Sequence, residues 1–371
     1  MLYEKLLNLC NDSKFDGTFF FTDQELDGQV YRIFNYRLGG WLVFQENPEA
    51  LEARGIMFNI TNESEPVLVC RPMQKFFNYA EGNVNHEINV LYDVHEKLDG
   101  SLISSYFHNR ELKLKTKGSI KSEQAINAMA WLAKDENALL RGYIHGKTLL
   151  NKTVNLEWTS PTNRIVVGYQ KDALRVLSVR DNETGELELP TLFDGIPSAR
   201  QHSYSYIGEL HNLIEQMYSE TVGEGYVLSF IRESTGKMYQ VKVKNHKYCN
   251  LHKIKDSISN PEALAELIIR GQSDDVIQAF ENDEITVNLI LEQEKKIIPV
   301  FNEMVKDIEA FYEVNKHLDR KSFAIKATEE RLQYMSVLMM LYTGRKVSYE
   351  DFAVKNMTKL FGVKNQLRKQ Y

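Results

Sequence analysis

The chain has 371 residues, 43% hydrophobic and 26% charged, an ordinary balance for a globular protein long enough to bury two cores. Three widely spaced cysteines, Cys10, Cys70 and Cys249, form no CxxC pair, which argues against a zinc ribbon or disulfide scaffold and fits a reducing compartment. A net charge of −6 disfavours a chain that is basic all over, but a local basic surface is enough to grip phosphates.

The start, Met1-Leu2-Tyr3-Glu4-Lys5, lacks the basic segment and apolar stretch of a signal peptide, and no apolar run is long enough to span a bilayer. Residues 1–12 read as a short amphipathic helix with Leu2, Leu6 and Leu9 on one side. Strand signals then dominate to about residue 248. They cover Thr18–Thr22, Val30–Tyr36, Gly55–Ile60, Val67–Cys70, Ile88–Val94, Leu102–Phe107, Glu111–Lys115, Val154–Trp158, Ile165–Tyr169, Leu174–Val179, Tyr226–Ile231 and Met238–Val243. One helix interrupts them, around Ser122–Leu140. Beyond residue 250 only Gly271, Gly344 and Gly362 of the 20 glycines remain, and helical periodicity takes over.

In that second part Asn260-Pro261 reads as an N-cap followed by proline at the first helical position. Gly271 ends that helix, and Ser273 caps the next. Ile285–Leu318 is a long helix bent near Pro299, and a last helical region starts at Glu329. The expected architecture is α+β: a domain of antiparallel sheets over residues 1–250, then an all-α domain over 251–371.

The chemistry concentrates on Lys97-Leu98-Asp99-Gly100-Ser101, between two strand-like runs. A lysine at a strand end is aimed by rigid backbone, and nearby cations favour the neutral amine that acts as a nucleophile. Lys115, Lys117, Lys242 and Lys244 are the candidates for those cations. Asp-Gly between two strands is equally an ordinary hairpin signal. Lys242 and Lys244 share one face of a strand, either around a polyphosphate or as a solvated edge that discourages aggregation. Glu157, with an apolar residue on either side, needs a partner: a ribose hydroxyl, a metal or an arginine such as Arg164. Gly142-Tyr143-Ile144-His145-Gly146-Lys147-Thr148 imitates a P-loop but has three residues between its glycines where four are needed.

Taken with Tyr31–Phe34, Arg54–Phe58, Lys117–Ala125 and Pro161–Val166, the KxDG stretch resembles the covalent nucleotidyltransferase superfamily. Within it the chain is most similar to the ATP-dependent RNA ligases of the T-even bacteriophage tRNA-repair type, over nearly its whole length. The resemblance implies a nucleotidyltransferase domain followed by a helical domain concerned with RNA or tRNA specificity. It implies an enzyme that joins an RNA 3′-hydroxyl to a 5′-phosphate through lysyl-AMP and RNA-adenylate, releasing diphosphate and AMP. ATP and Mg²⁺, with Mn²⁺ as a substitute, would be the cofactors. The partner would be RNA, in particular tRNA with a broken anticodon loop, and the protein a monomer in the host cytoplasm.

Residue by residue, Lys97 would carry AMP, and Tyr36, Arg54, Lys75 and Phe77 would line the nucleotide pocket. Lys117 would serve ligation, Glu157 the ribose, Glu224 the placing of the metal, and Lys242 and Lys244 the phosphates. Tyr248 would be a tyrosine needed for activity. Asp274 would be a metal ligand, although the helix dipole alone accounts for an acid there. The second ligand falls near Lys346, with Glu350 or Asp351 as substitutes. The tail lysines and arginine, Lys355, Lys359, Lys364, Arg368 and Lys369, offer either an RNA-binding surface or a solvated helix face. A capping guanylyltransferase or DNA ligase would carry an OB-fold where this chain turns helical. A non-catalytic RNA-binding relative would have lost charged site residues.

Overall fold

The computed structural model describes residues 1–371 except 16, 38–39, 192–194, 200–208, 281–282 and 364–371. The chain divides into two compact units, Met1–Cys249 and Asn250–Tyr371.

The first unit holds three sheets. Strands β1 (Phe19–Leu26), β2 (Gln29–Tyr36), β3 (Ile56–Asn59) and β4 (Val67–Cys70) form an antiparallel meander. Helix α1 (Leu2–Asn11) lays Leu6 and Leu9 on its Phe34 and Phe58. The second sheet runs β5 (Phe77–Asn78), β13 (Met238–Lys244), β12 (Gly225–Ile231) and β6 (Val90–Lys97), antiparallel except for the short β5–β13 pair. The third runs β11 (Leu187–Glu188), β10 (Ala173–Asp181), β9 (Lys152–Thr159), β7 (Ser101–His108) and β8 (Glu111–Thr116), all antiparallel.

Period-two alternation decides what each sheet buries. On the second sheet Val94, Leu228, Phe230, Val241 and Val243 pack under helix α5 (Leu210–Ser219). His95, Lys97, Val227 and Lys242 therefore point the opposite way. On the third sheet Val154, Leu156 and Trp158 pack under helices α3 (Glu123–Leu132) and α4 (Ala138–Leu149), which leaves Glu157 on the other face.

In the second unit Ile290, Ile308, Phe323 and Leu338 share one core with Ile258 of helix α6 (His246–Ser259), and seven further described helices surround it. These are α7 (Pro261–Ile269), α8 (Ser273–Ala279), α9 (Glu284–Asn315), α10 (Arg320–Arg331), α11 (Met335–Tyr342), α12 (Tyr349–Lys355) and α13 (Met357–Phe361). Among the described residues no helix is long and apolar enough to cross a membrane.

The antiparallel sheets and the helical second part are those expected, and Asn260 caps α7 with its side chain as its sequence context suggests. Three readings need correction. Residues 165–169 form a loop rather than a strand. The single helix placed at 122–140 is two, α3 and α4. The false P-loop lies inside α4, and α5 went unseen. Ser273 is the first residue of α8 rather than its cap, a position held by Gln272.

Candidate active site

The Asp-Gly turn does not close a hairpin. Strand β6 belongs to the second sheet and β7 to the third, so Leu98-Asp99-Gly100 carries the chain from one sheet to the other. The Asp99 carboxylate and the amides of Asp99 and Gly100 are all tied down. Asp99 is 2% exposed. Its Oδ2 accepts from the amides of Val166 (2.8 Å) and Val167 (2.7 Å), and its Oδ1 from the Tyr248 hydroxyl (2.7 Å). The Asp99 amide donates to the Tyr169 hydroxyl at 3.0 Å. The Gly100 amide donates to Glu157 Oε1 at 3.0 Å. A Cβ at residue 100 would stand 2.3 Å from the Trp158 carbonyl oxygen, so only glycine fits. Asn163 braces the next residue, donating to Ser101 Oγ at 3.0 Å and the Trp158 carbonyl at 3.2 Å. The turn is thus held rigid, and Lys97 is the side chain it presents.

The Lys97 ammonium sits 2.7 Å from Glu224 Oε2, and Lys244 sits 2.8 Å from Glu224 Oε1. Register explains the bridge: Gly225, the next residue after Glu224, lies opposite both Lys97 and Lys244. A side chain at Gly225 would strike the Val243 carbonyl at 2.1 Å, and its φ of +143° also favours glycine. Lys242 and Lys244 do not stand on a solvated edge, because β13 lies between β5 and β12.

Two ammonium groups are lowered by burial and then by like charge, those of Lys242 and Lys117. Burial first, then Lys97, Lys244, Lys75 and Arg54, bring the pKa of Lys242 down to about 8. Lys115 takes no part: it is completely buried and donates to the Gly55 carbonyl at 2.7 Å. Burial pushes the Glu157 carboxyl up to about 7 against the pull of Lys97. Its hydrogen-bond donor is the Gly100 amide, and Arg164 Nε turns instead to the Val166 carbonyl.

A cavity of about 470 Å³ opens beside Lys97, lined also by Arg54, Lys117 and Glu157. Lys75 and Phe77 line a second cavity, of about 550 Å³, that shares Met73 and Phe76 with the first. Tyr36 lies between two cations: Lys75 is 5.0 Å and Lys117 5.3 Å from its ring centre. Burial first, then Arg54 and Lys75, lowers the pKa of Lys117. Tyr248, buried, reaches the site through Asp99, and Lys244 lies over its ring.

Other expected residues belong to the second unit. Asp274 is exposed in the first turn of α8. Asp351 pairs with Arg270, and Glu350 accepts from the Ser348 hydroxyl. Lys355 and Lys359 lie on α12 and α13, while Lys364, Arg368 and Lys369 lie outside the described residues. In the first unit Glu52, Arg71 and Arg180 form a buried ion cluster.

The sequence reading missed Tyr169 and the 166–167 amides, because an apolar run was taken as a strand. It also missed His95, which lines the first cavity and pairs with Asp93 at 3.2 Å. Its spacing of two from Lys97 on one strand would have placed it there.

Among proteins of similar sequence is a putative bifunctional polynucleotide kinase/RNA ligase of Autographa californica nuclear polyhedrosis virus. It is 27% identical over 64% of this chain and 36% of its own length. RNA ligase 1 of bacteriophage TS2126 is 27% identical over 58% of this chain and 57% of its own length. The RNA ligase of Rhodothermus phage RM378 is 22% identical over 81% and 82%. The chain thus spans little more than half, or less, of the first two relatives. Among solved structures, an archaeal ATP-dependent RNA ligase aligns over 96% of this chain and 95% of its own with 12% identity and a TM-score of 0.45. A family model described as RNA ligase matches residues 52–248, and one described as T4 RNA ligase 1, C-terminal domain, matches residues 255–369. With more than half of its length inside the first of these, the chain belongs to the RNA ligase family.

Proposed function

We propose that the chain is an ATP-dependent RNA ligase whose nucleophile is Lys97. The observation that carries this reading is the Lys97 amine, held on Glu224 at the mouth of a cavity that Arg54, Lys117 and Glu157 also line. Such a cavity suits a nucleotide whose α-phosphate faces the amine. Lys97 gives up a proton, its nitrogen bonds to the α-phosphorus of ATP, and diphosphate leaves. The AMP then passes to an RNA 5′-phosphate, and an RNA 3′-hydroxyl displaces it.

In this scheme Glu224 keeps the amine aimed. Arg54, Lys117, Lys242 and Lys244 stabilise negative charge that grows on the phosphate oxygens. Glu157 holds the turn through Gly100 and faces the ribose, and Tyr248 acts by fixing Asp99. Lys75 and Phe77, in the adjoining cavity, would meet the groups beyond the α-phosphate.

The carboxylates that face the Lys97 amine are Glu157 and Glu224, of which Glu224 already holds two ammonium groups. That set fits a Mg²⁺ or Mn²⁺ ion carried in with the nucleotide, drawing most of its oxygen ligands from phosphates and water. When bound, such an ion would neutralise charge on the phosphate oxygens. For Asp274 the family resemblance alone supports a metal role, since the helix dipole accounts for an acid at that place. The preference for tRNA with a broken anticodon loop, and the assignment of that preference to residues 251–371, rest on the same resemblance. So do the monomeric state and the host cytoplasm.

The test is incubation of the purified protein with α-labelled ATP and Mg²⁺, followed by a denaturing gel. Acid-labile label is expected on the wild type and absent from Lys97→Ala. Label retained by Lys97→Ala would sink the assignment, and label from GTP alone would point to capping.

A further inference from the structure

The second cavity is larger than the first, and of its lining the steps just described use only Lys75 and Phe77. It sits one wall away from Lys97, across Met73 and Phe76. Lys242 links the two: its ammonium lies 5.6 Å from the centre of the Phe76 ring, and both Lys97 and Lys75 lower its pKa. The walls are rich in rings. Trp41 meets Phe77 edge to face at 4.5 Å, while the Tyr239 ring is already covered by Arg232 at 4.3 Å and stacked on Phe230 at 5.5 Å. The indole is held in place, since a Cβ at Gly82 would fall 2.3 Å from it.

Charge decides what such a cavity takes. Two of its carboxylates are already matched: Glu52 by Arg71 and Arg180, and Glu188 by Lys147 and Lys152. Against the remaining acids, Glu81 and Glu186, stand Lys75, Arg232 and Lys237, which leaves the space positive by one charge. Diphosphate would use the lysines but gains nothing from the rings. An RNA nucleotide uses both, its base on an aromatic face and its phosphate beside a lysine.

We propose that this cavity, lined by Trp41 and Phe77 and by Lys75 and Lys237 beside the Lys97 site, binds a nucleotide of the RNA strand being sealed. The proposal rests on the ligase reading, with RNA as the substrate. Stacking on side chains tolerates any base, so the cavity favours RNA without reading its sequence.

Two assays on the full chain separate this proposal from that reading. One is single-turnover labelling of Lys97 by ATP. The other is sealing of a pre-adenylated oligoribonucleotide to a 3′-hydroxyl oligoribonucleotide without ATP. Trp41→Ala is expected to raise the KM for one oligonucleotide roughly tenfold, the scale of one lost base stack. Its kcat and its labelling rate should stay within about twofold. Varying the two oligonucleotides separately tells which strand occupies the cavity. Lys237→Glu, at an exposed position, is expected to raise the same KM and decides the matter if Trp41→Ala does not fold.

An unchanged KM in Lys237→Glu and in a folded Trp41→Ala would overturn the proposal, as would labelling slowed as much as sealing. A wild type that takes no label, yet shows oligoribonucleotide quenching of the fluorescence that Trp41→Phe removes, would fail the ligase reading and keep the cavity. No label and no quenching would overturn both.

Discussion

Two aspartates that the sequence marks for attention have opposite surroundings. Asp99 is buried at the crossing between two sheets, with three donors on its carboxylate. Asp274 is exposed in the first turn of a seven-residue helix. A buried carboxylate persists only when its donors are supplied, so the surroundings of Asp99 are built for it. An exposed acid at a helix start needs no such construction. The contrast teaches that in this protein the partners of a charged residue, more than its type, tell a constructed site from a surface preference.

The sharpest test of that contrast is Asp99→Ala. It strands the amides of Val166 and Val167 and the Tyr248 hydroxyl, and should cost about 4 kcal/mol of unfolding free energy. Tyr248→Phe, which removes only one donor, should cost about 1 kcal/mol. Chemical denaturation measures both, and equal losses would show that the amide bonds contribute little.

Glu157→Gln comes next. The carboxyl titrates at about 7 in the folded chain against 4.5 in the unfolded one, so the folded state holds the proton more tightly. The native chain therefore bears no penalty below about pH 4.5 and a growing one as the pH rises towards 7. Relative to wild type, Glu157→Gln should gain roughly 3 kcal/mol between pH 4.5 and pH 8. A stability difference that does not change with pH would contradict the buried, uphill carboxyl.

Lys115 and Lys117 repeat the contrast within one strand end. Lys115→Met leaves the Gly55 carbonyl without its donor and should cost about 2 kcal/mol of stability. Lys117→Met removes a charge that Arg54 and Lys75 oppose, so stability should hold while RNA sealing falls. The smallest effect is expected from Asp274→Asn, within about 0.5 kcal/mol in stability and about twofold in adenylation. A large loss of adenylation there would give α8 a role that its exposed surroundings do not suggest.

Much of this was legible in the chain. Alternation placed most strands of the first unit, because side chains on successive strand residues must face opposite ways. Asn260-Pro261 announced α7 through backbone chemistry confined to a few residues. The KxDG stretch, Glu157, Glu224 and the Lys242–Lys244 pair stood out as charges in strand contexts.

What lay hidden is non-local. No local pattern says that β6 and β7 belong to different sheets, so the hairpin reading of Asp-Gly stayed open until the sheets were assembled. Nor could spacing tell that Lys115 spends its ammonium on a carbonyl 60 residues away in sequence, or that burial and neighbouring cations bear on Lys242 and Lys117. Residue types and periodicity determined the strands, the helical second part and the list of charged candidates. The tertiary structure decided which charges meet, because burial and pairing depend on atoms that chain folding brings together from distant strands.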